Sequence, residues 1–294
     1  MKATITNVYT NESPDGKKLK GAHGQAFYIS VGDENILFDT GGNSEILIHN
    51  MNELGLSPDT ITKIVLSHGH YDHTHGLPGL LDLINPVNPI PVFGHPSITE
   101  EKVFKMAAIK RNIGFPDLLE EQQRKIDFQL TSDPIKLAEG ITMTGEISKR
   151  PHRDGREPNA YHKVNETLEV DPVIDDQSIV LDTKEGLVLI TGCCHAGLLN
   201  TLEHVQKMNN KPFKAILGGT HMVRYSKEEV EQVANILDEK YGLPDLYLNH
   251  CTDHFPLRFV KKTPVTKILR QRFGATKVRT CDVGTELIFE ISKE

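Results

Sequence analysis

"TKIVLSHGHYDHTHG", residues 62 to 76, joins a short apolar, β-branched run to a turn crowded with histidine. The run reads as a strand that stops at His68, with His70 and Asp72 in the turn and His73 near the next helix start. A turn at a strand's end lets residues close in sequence point to one side. Three imidazoles and a carboxylate converge there, and their nitrogen and oxygen atoms suit Zn²⁺ or a similar divalent ion. The H-x-H-x-D-H spacing is far more specific than a lone pair of histidines. It marks the stretch as a metal cradle.

Outward from the motif, strands alternate with helices. Residues 2–9, 25–31 and 35–41 read as an opening meander, 45–54 has helical spacing, 76–84 reads as a helix and 90–94 as a strand. Residues 97–112 read as a further amphipathic helix. The polar stretch from about 114 to 165, rich in proline and charge, is expected to be an irregular insert or lid on a single 1–294 domain. Beyond it "QSIVLDT" (177–183), "GLVLITG" (186–192), "KAILGG" (214–219) and "DLYLNH" (245–250) recur as β-runs. Helices fall near 198–208, 227–241 and 264–273, and two strands near 276–291. The two halves share a plan, and no short internal repeat is present. The expected class is α/β: two sheets covered outside by helices, a four-layer αββα sandwich.

The 294 residues supply ample core, and a net charge of −7 argues against a general nucleic-acid or anionic-membrane surface. No apolar run approaches the roughly 20 residues that span a bilayer. The N-terminal "MKATITNVYT" alternates like a strand and has no leader-type apolar core. Four cysteines in so long a chain make reduced thiols, and a cytoplasmic location, the expectation.

His195 lies just beyond the strand "GLVLITG" and His250 just beyond "DLYLN", strand-end positions like that of His68. The H-x-H-x-D-H stretch resembles the signature of the metallo-β-lactamase-fold hydrolase superfamily, and "ILFDTGG" (36–42) resembles its Asp-x-Gly turn. "TGCCHAGLLNT" (191–201), "LGGTHM" (217–222) and "LNHCTD" (248–253) are similar to a narrower subgroup that carries the name of a dihydropterin–aminobenzene riboside phosphate synthase. The resemblance spans residues 36 to 253 and implies the αββα fold of that superfamily. It also implies two divalent ions, one held by His68, His70 and His195, the other by Asp72, His73 and His250. Zinc is the foremost expectation; manganese, iron and nickel accept the same donors. One departure is informative: where many members end the corresponding strand in Gly-Asp, with an aspartate bridging the metals, this chain has Gly192-Cys193.

His221 also ends a strand and is read as a ligand, a proton donor or a support for the ligands. His75 is read as a supporting or surface residue, and Asp39 as a group beneath the metals. His23, His49, His95, His162, His204 and His254 have no comparable context. Cys193, Cys194 and Cys251 flank ligand histidines, where thiolate ligation would suit zinc, although packing is the commoner use of a buried cysteine. "SKRPHRDGRE" (148–157) places Lys149, Arg150, Arg153 and Arg156 in one loop. Arg150 and Arg153 are the candidates for binding an anionic group against the bland reading of a solvated loop.

The ligand set implies a metal-dependent hydrolase that uses metal-activated hydroxide on an ester or phosphoester of an anionic small molecule, with Asp72 and His221 as catalytic groups. Two other readings stand beside it. One is a transferase joining a dihydropterin to a phosphorylated aminobenzene riboside; the other is a metal-dependent sensor without turnover.

Overall fold

Along β14 (Gly186–Thr191), Leu187 and Leu189 face one apolar cluster while Val188 and Ile190 face another. The period of two is that of a pleated strand, and burial on both faces explains why the run is apolar throughout. The computed structural model describes residues 1–257 and 261–292.

β14 lies in a seven-stranded sheet, in the spatial order β17 (Val278–Thr280), β16 (Asp245–Leu248), β15 (Phe213–Gly218), β14, β13 (Ser178–Thr183), β10 (Ile141–Met143) and β9 (Ile135–Ala138). A second seven-stranded sheet runs β18 (Glu286–Glu290), β1 (Lys2–Tyr9), β2 (Ala26–Val31), β3 (Glu34–Phe38), β4 (Lys63–Val65), β5 (Ile90–Gly94) and β8 (Ile126–Leu130). Each is antiparallel in one half and parallel in the other; β3, β4, β5 and β8 pair in parallel, as do β14 to β17.

The sheets bury a shared interior in which Phe27, Ile29, Ile36 and Phe38 from one meet Ile179, Leu181, Val188 and Ile190 from the other. Each such side chain stabilises the fold by roughly 1.5–3 kcal/mol relative to exposure. Outside the first sheet, Leu202 and Val205 of α5 (Leu198–Met208), Val230 and Val233 of α6 (Lys227–Glu239) and Leu269 of α7 (Val265–Phe273) pack on Leu187 and Leu189. Outside the second, Leu47 and Met51 of α1 (Ser44–Glu53) and Leu80 and Leu81 of α3 (Leu77–Leu83) pack with Leu37 and Ile64. These are the four αββα layers that the sequence implied. No helix among the described residues is long and apolar enough to cross a membrane.

Two expectations are corrected. Residues 97–112 do not form one helix; after a short 3-10 turn at Pro96–Thr99, β6 (Lys102–Met106) and β7 (Ile109–Asn112) form a hairpin in a small antiparallel sheet ordered β12 (Thr167–Val170), β11 (Ala160–Val164), β6, β7. The apolar spacing of this stretch is weakly helical, but tertiary contacts override it. Lys102 is buried and ion-paired to Asp171 and Asp175, which fixes β6 as extended chain. The 114–165 stretch is less irregular than expected. It contributes α4 (Glu120–Gln123), then β8, β9 and β10 to the two large sheets, and β11 to the small one. Residues 144–159, which carry no helix or strand, run past the ligand cluster described next.

Candidate metal centre

β4 ends at Val65, and His68 leaves the sheet a few residues later. His195, His221 and His250 follow the carboxyl ends of β14, β15 and β16 in the same way. Parallel strands deliver such loops to one rim. A Cβ at Gly69 would overlap the Ile98 carbonyl oxygen, and the Gly69 N–H donates to Asp175 Oδ2 at 2.8 Å, so the turn between His68 and His70 needs glycine. The single turn of α2 (Tyr71–Thr74) then carries Asp72 and His73 inward, closed by Thr74 Oγ1 donating to the His70 carbonyl at 3.0 Å.

Among the described residues, three groups of buried donors form, with the donor atoms of each group within 4.8 Å of one another. The first is His68, His70 and His195; the second is Asp72, His73, His250 and Cys193; the third is Cys193, His221 and Cys251.

The imidazoles are aimed by the nitrogen that faces away. His68 Nδ1 donates to Ser67 Oγ at 2.9 Å, and Ser67 Oγ donates to Asp39 Oδ2 at 2.8 Å. His73 Nδ1 donates to the same Asp39 oxygen at 2.7 Å, His195 Nδ1 to the Gly155 carbonyl at 2.9 Å, and His250 Nδ1 to Asn11 Oδ1 at 2.8 Å. Such bonds fix tautomer and ring orientation, as they do for metal-ligating histidines. The inward nitrogens then crowd together. His68 Nε2 lies 3.0 Å from His70 Nδ1, His73 Nε2 lies 3.3 Å from His250 Nε2 and 3.1 Å from Cys193 Sγ, and His195 Nε2 is buried with no hydrogen-bond partner. Lone pairs turned on one another repel unless a proton or a cation lies between them. The donor types and this crowding fit a divalent ion in each of the first two groups.

Burial pushes His68 and His195 well below the usual imidazole range, with neighbouring rings adding to the effect, and burial together with Lys102 brings His70 down to about 4. These rings are neutral near pH 7, the form that ligates. For His73 burial also lowers the pKa, but Asp39 outweighs it and the result is about 9. Burial would raise Asp72, yet His23 Nε2 at 3.0 Å, together with His250 Nε2 at 3.2 Å, holds its carboxyl well below the usual range. Behind His70, Lys102 Nζ donates to Asp171 Oδ2 at 2.9 Å and Asp175 Oδ1 at 3.0 Å, so a buried ammonium is fully paired.

His221 belongs to neither of the first two groups. Its backbone is left-handed, with φ at 49°, and its Nε2 lies 3.3 Å from Glu157 Oε1. Glu157 in turn accepts from Arg224 Nη1 at 2.9 Å. Burial would lower the His221 pKa, but Cys251 and Glu157 raise it to about 10.

The structure thus brings His68, His70, Asp72, His73, His195 and His250 together, with His221 and Asp39 beside them. His75 is exposed, its ring 3.2 Å from the Gly114 carbonyl. Arg150 and Arg153 do not reach the site. Arg150 spends its guanidinium on the carbonyls of Ile147, Pro172 and Val173, and Arg153 stacks on Tyr225 and pairs with Glu229. The loop that holds them serves the site through Glu157 and the Gly155 backbone instead. His23, Asn11 and Ser67 carried no sequence signal, because each acts through a partner that only folding supplies. Over the donors opens a cavity walled by Tyr71, Phe104, Ile113, Phe255 and Leu257, with Arg111 of β7 as the cation in its lining. Among the described residues Arg111 has no ion-pair partner.

Residues 20–193 match the family model of the metallo-beta-lactamase superfamily. A 7,8-dihydropterin-6-methyl-4-(beta-D-ribofuranosyl)-aminobenzene-5'-phosphate synthase of Methanocaldococcus jannaschii is 32% identical, over 78% of this chain and 81% of its own length. A ribonuclease Z of Nanoarchaeum equitans is 39% identical over a shorter stretch, 35% of this chain and 33% of the relative. A solved structure described as a metal-dependent hydrolase of the beta-lactamase superfamily superposes with a TM-score of 0.80 and 24% identity, covering 99% of this chain and all of the other.

Proposed function

This chain belongs to the metallo-beta-lactamase superfamily, and on that premise we propose that it is a metal-dependent hydrolase acting on an ester or phosphoester of an anionic small molecule. The observation that carries the reading is the pair of adjacent donor groups, His68/His70/His195 and Asp72/His73/His250, at the floor of one cavity. Bound there, a divalent ion supplies Lewis acidity and brings the pKa of water to around 7. Zinc suits the imidazole-rich set best, with manganese, iron and nickel as alternatives.

The chain's own residues divide the remaining work. Asp39, Ser67, Asn11 and the Gly155 carbonyl hold the rings in their ligating orientation. Asp72, ionised and facing the cavity, accepts a hydrogen bond from the attacking water and orients it. His221, charged beside Glu157, is placed either to hand a proton to a leaving group or, once deprotonated, to bind a cation of its own. The apolar wall of Tyr71, Phe104 and Phe255 excludes bulk water, which strengthens the electrostatics inside. Arg111 supplies the charge-assisted hydrogen bond for an anionic group on the substrate. Four buried free thiols agree with a reducing, cytoplasmic setting.

One observation favours a second reading: the 32% identical relative is named as a synthase. The product in that name joins aromatic parts to a phosphate, and an aromatic wall with one arginine would suit such a molecule. Turnover of an aryl phosphate ester in heavy-oxygen water separates the two. The hydrolase reading expects the ester to be consumed alone, one solvent oxygen entering the products per turnover, and expects Asp72→Asn to abolish this. Consumption only when a second organic substrate is added would decide for the transferase.

A further inference from the structure

Two members of the third donor group, His221 and Cys251, belong to neither of the first two. Cys193 Sγ, Cys251 Sγ and a ring nitrogen of His221 lie within 4.8 Å of one another, and all three residues are buried and line the cavity. His221 Nε2 is taken by Glu157 at 3.3 Å, while His221 Nδ1 is buried with no hydrogen-bond partner. A carboxylate on one nitrogen, with the other nitrogen left to the ion, is the arrangement that metal-ligating histidines adopt. The His221 backbone is left-handed, with φ at 49°, a conformation uncommon outside glycine that histidine adopts more readily than most residues. Gly219 leaves the room: a Cβ there would stand 2.6 Å from Cys251 Sγ.

We propose that Cys193, His221 and Cys251 form a third cation seat, selective for soft, thiolate-binding ions such as zinc, with Cys193 Sγ shared between this seat and the second donor group. Two thiolates and one imidazole are three protein ligands, which would leave a fourth position on a zinc ion for water or substrate, and all three residues line the cavity. Ligation at His221 excludes proton donation by the same ring, so filling the seat selects between the two roles open to His221. Thiolates favour zinc over magnesium, calcium or manganese, which sets this seat apart from the oxygen- and nitrogen-rich second group.

The test is zinc and cobalt loading of the whole chain. Wild type should take up about three equivalents of zinc, and Cys251→Ala about one fewer, because Cys251 belongs to the third seat alone. In the cobalt-loaded protein the thiolate-to-metal charge-transfer absorption should fall by about half or more in Cys251→Ala and stay at the wild-type level in Cys281→Ala. Equal zinc uptake and equal absorption in wild type and Cys251→Ala would overturn the proposal. If Cys251→Ala does not fold, zinc-edge absorption spectroscopy of wild type decides. The proposal expects about three zinc–sulfur bonds per chain near 2.3 Å, and one or none would overturn it. Uptake of two equivalents with no third leaves the hydrolase reading standing, whereas uptake of none removes both.

Discussion

Asp39 and His73 stand 34 residues apart and share a buried hydrogen bond of 2.7 Å, Asp39 Oδ2 accepting from His73 Nδ1. The same oxygen accepts from Ser67 Oγ, which carries the His68 ring. One carboxylate therefore orients a ring in each of the first two donor groups. Asp39→Asn should weaken metal affinity about 10–100-fold, the usual cost of losing such a partner, with turnover falling in parallel. Competition against a chelator of known affinity measures it. Unchanged retention of both ions would contradict the role given to Asp39.

Metal binding should release protons unequally. His73, with a pKa of about 9, holds a proton at pH 7.5, whereas His70, at about 4, holds none. Ions that ligate His73 must expel its proton, so affinity of the second group should rise up to about tenfold per pH unit as pH approaches 9. The first group should show no such slope above neutrality. Calorimetry in two buffers of different ionisation heat counts the protons, and equal release by both equivalents would be inconsistent with the electrostatics described.

Arg111→Ala should raise KM for a phosphorylated substrate about ten- to a hundred-fold, from a charge-assisted bond worth roughly 1.5–3 kcal/mol. A neutral ester should be turned over almost equally by variant and wild type. Arg150→Ala should leave KM unchanged and lower the melting temperature, because its three backbone carbonyl contacts brace the 147–173 segment. A KM effect at Arg150 rather than Arg111 would reverse the assignment.

Leu189→Ala should cost about 2–5 kcal/mol in stability, the range for a fully buried leucine whose site relaxes only in part. Leu189 packs between β14 and the outer helices and touches no donor. Denaturant unfolding should show the loss with metal stoichiometry preserved.

Much of this was legible in the sequence, for physical reasons that differ by residue. His68, His70, Asp72 and His73 sit within one turn, so spacing alone brings their donors together. His195 and His250 could be read from strand-end positions, because parallel strands gather their carboxyl ends. The αββα layers followed from apolar runs buried on both faces, as in β14. The rest depended on contacts that spacing does not encode. Residues 97–112 look helical until Lys102 meets Asp171 and Asp175. The basic loop suggested Arg150 and Arg153, yet backbone carbonyls and Glu229 claimed them, and Glu157 faces the site instead. His23 and Asn11 precede the motif by some fifty residues and join it only through Asp72 and His250.

The proposed function requires that the two adjacent donor groups hold the ions on which turnover depends. The direct measurement is metal content and aryl phosphate ester turnover of one preparation, followed through chelator stripping and stepwise zinc reloading. Turnover should be lost with the metal and return as about two equivalents are restored. Full turnover by the stripped protein, or a purified chain that takes up no metal, would contradict it.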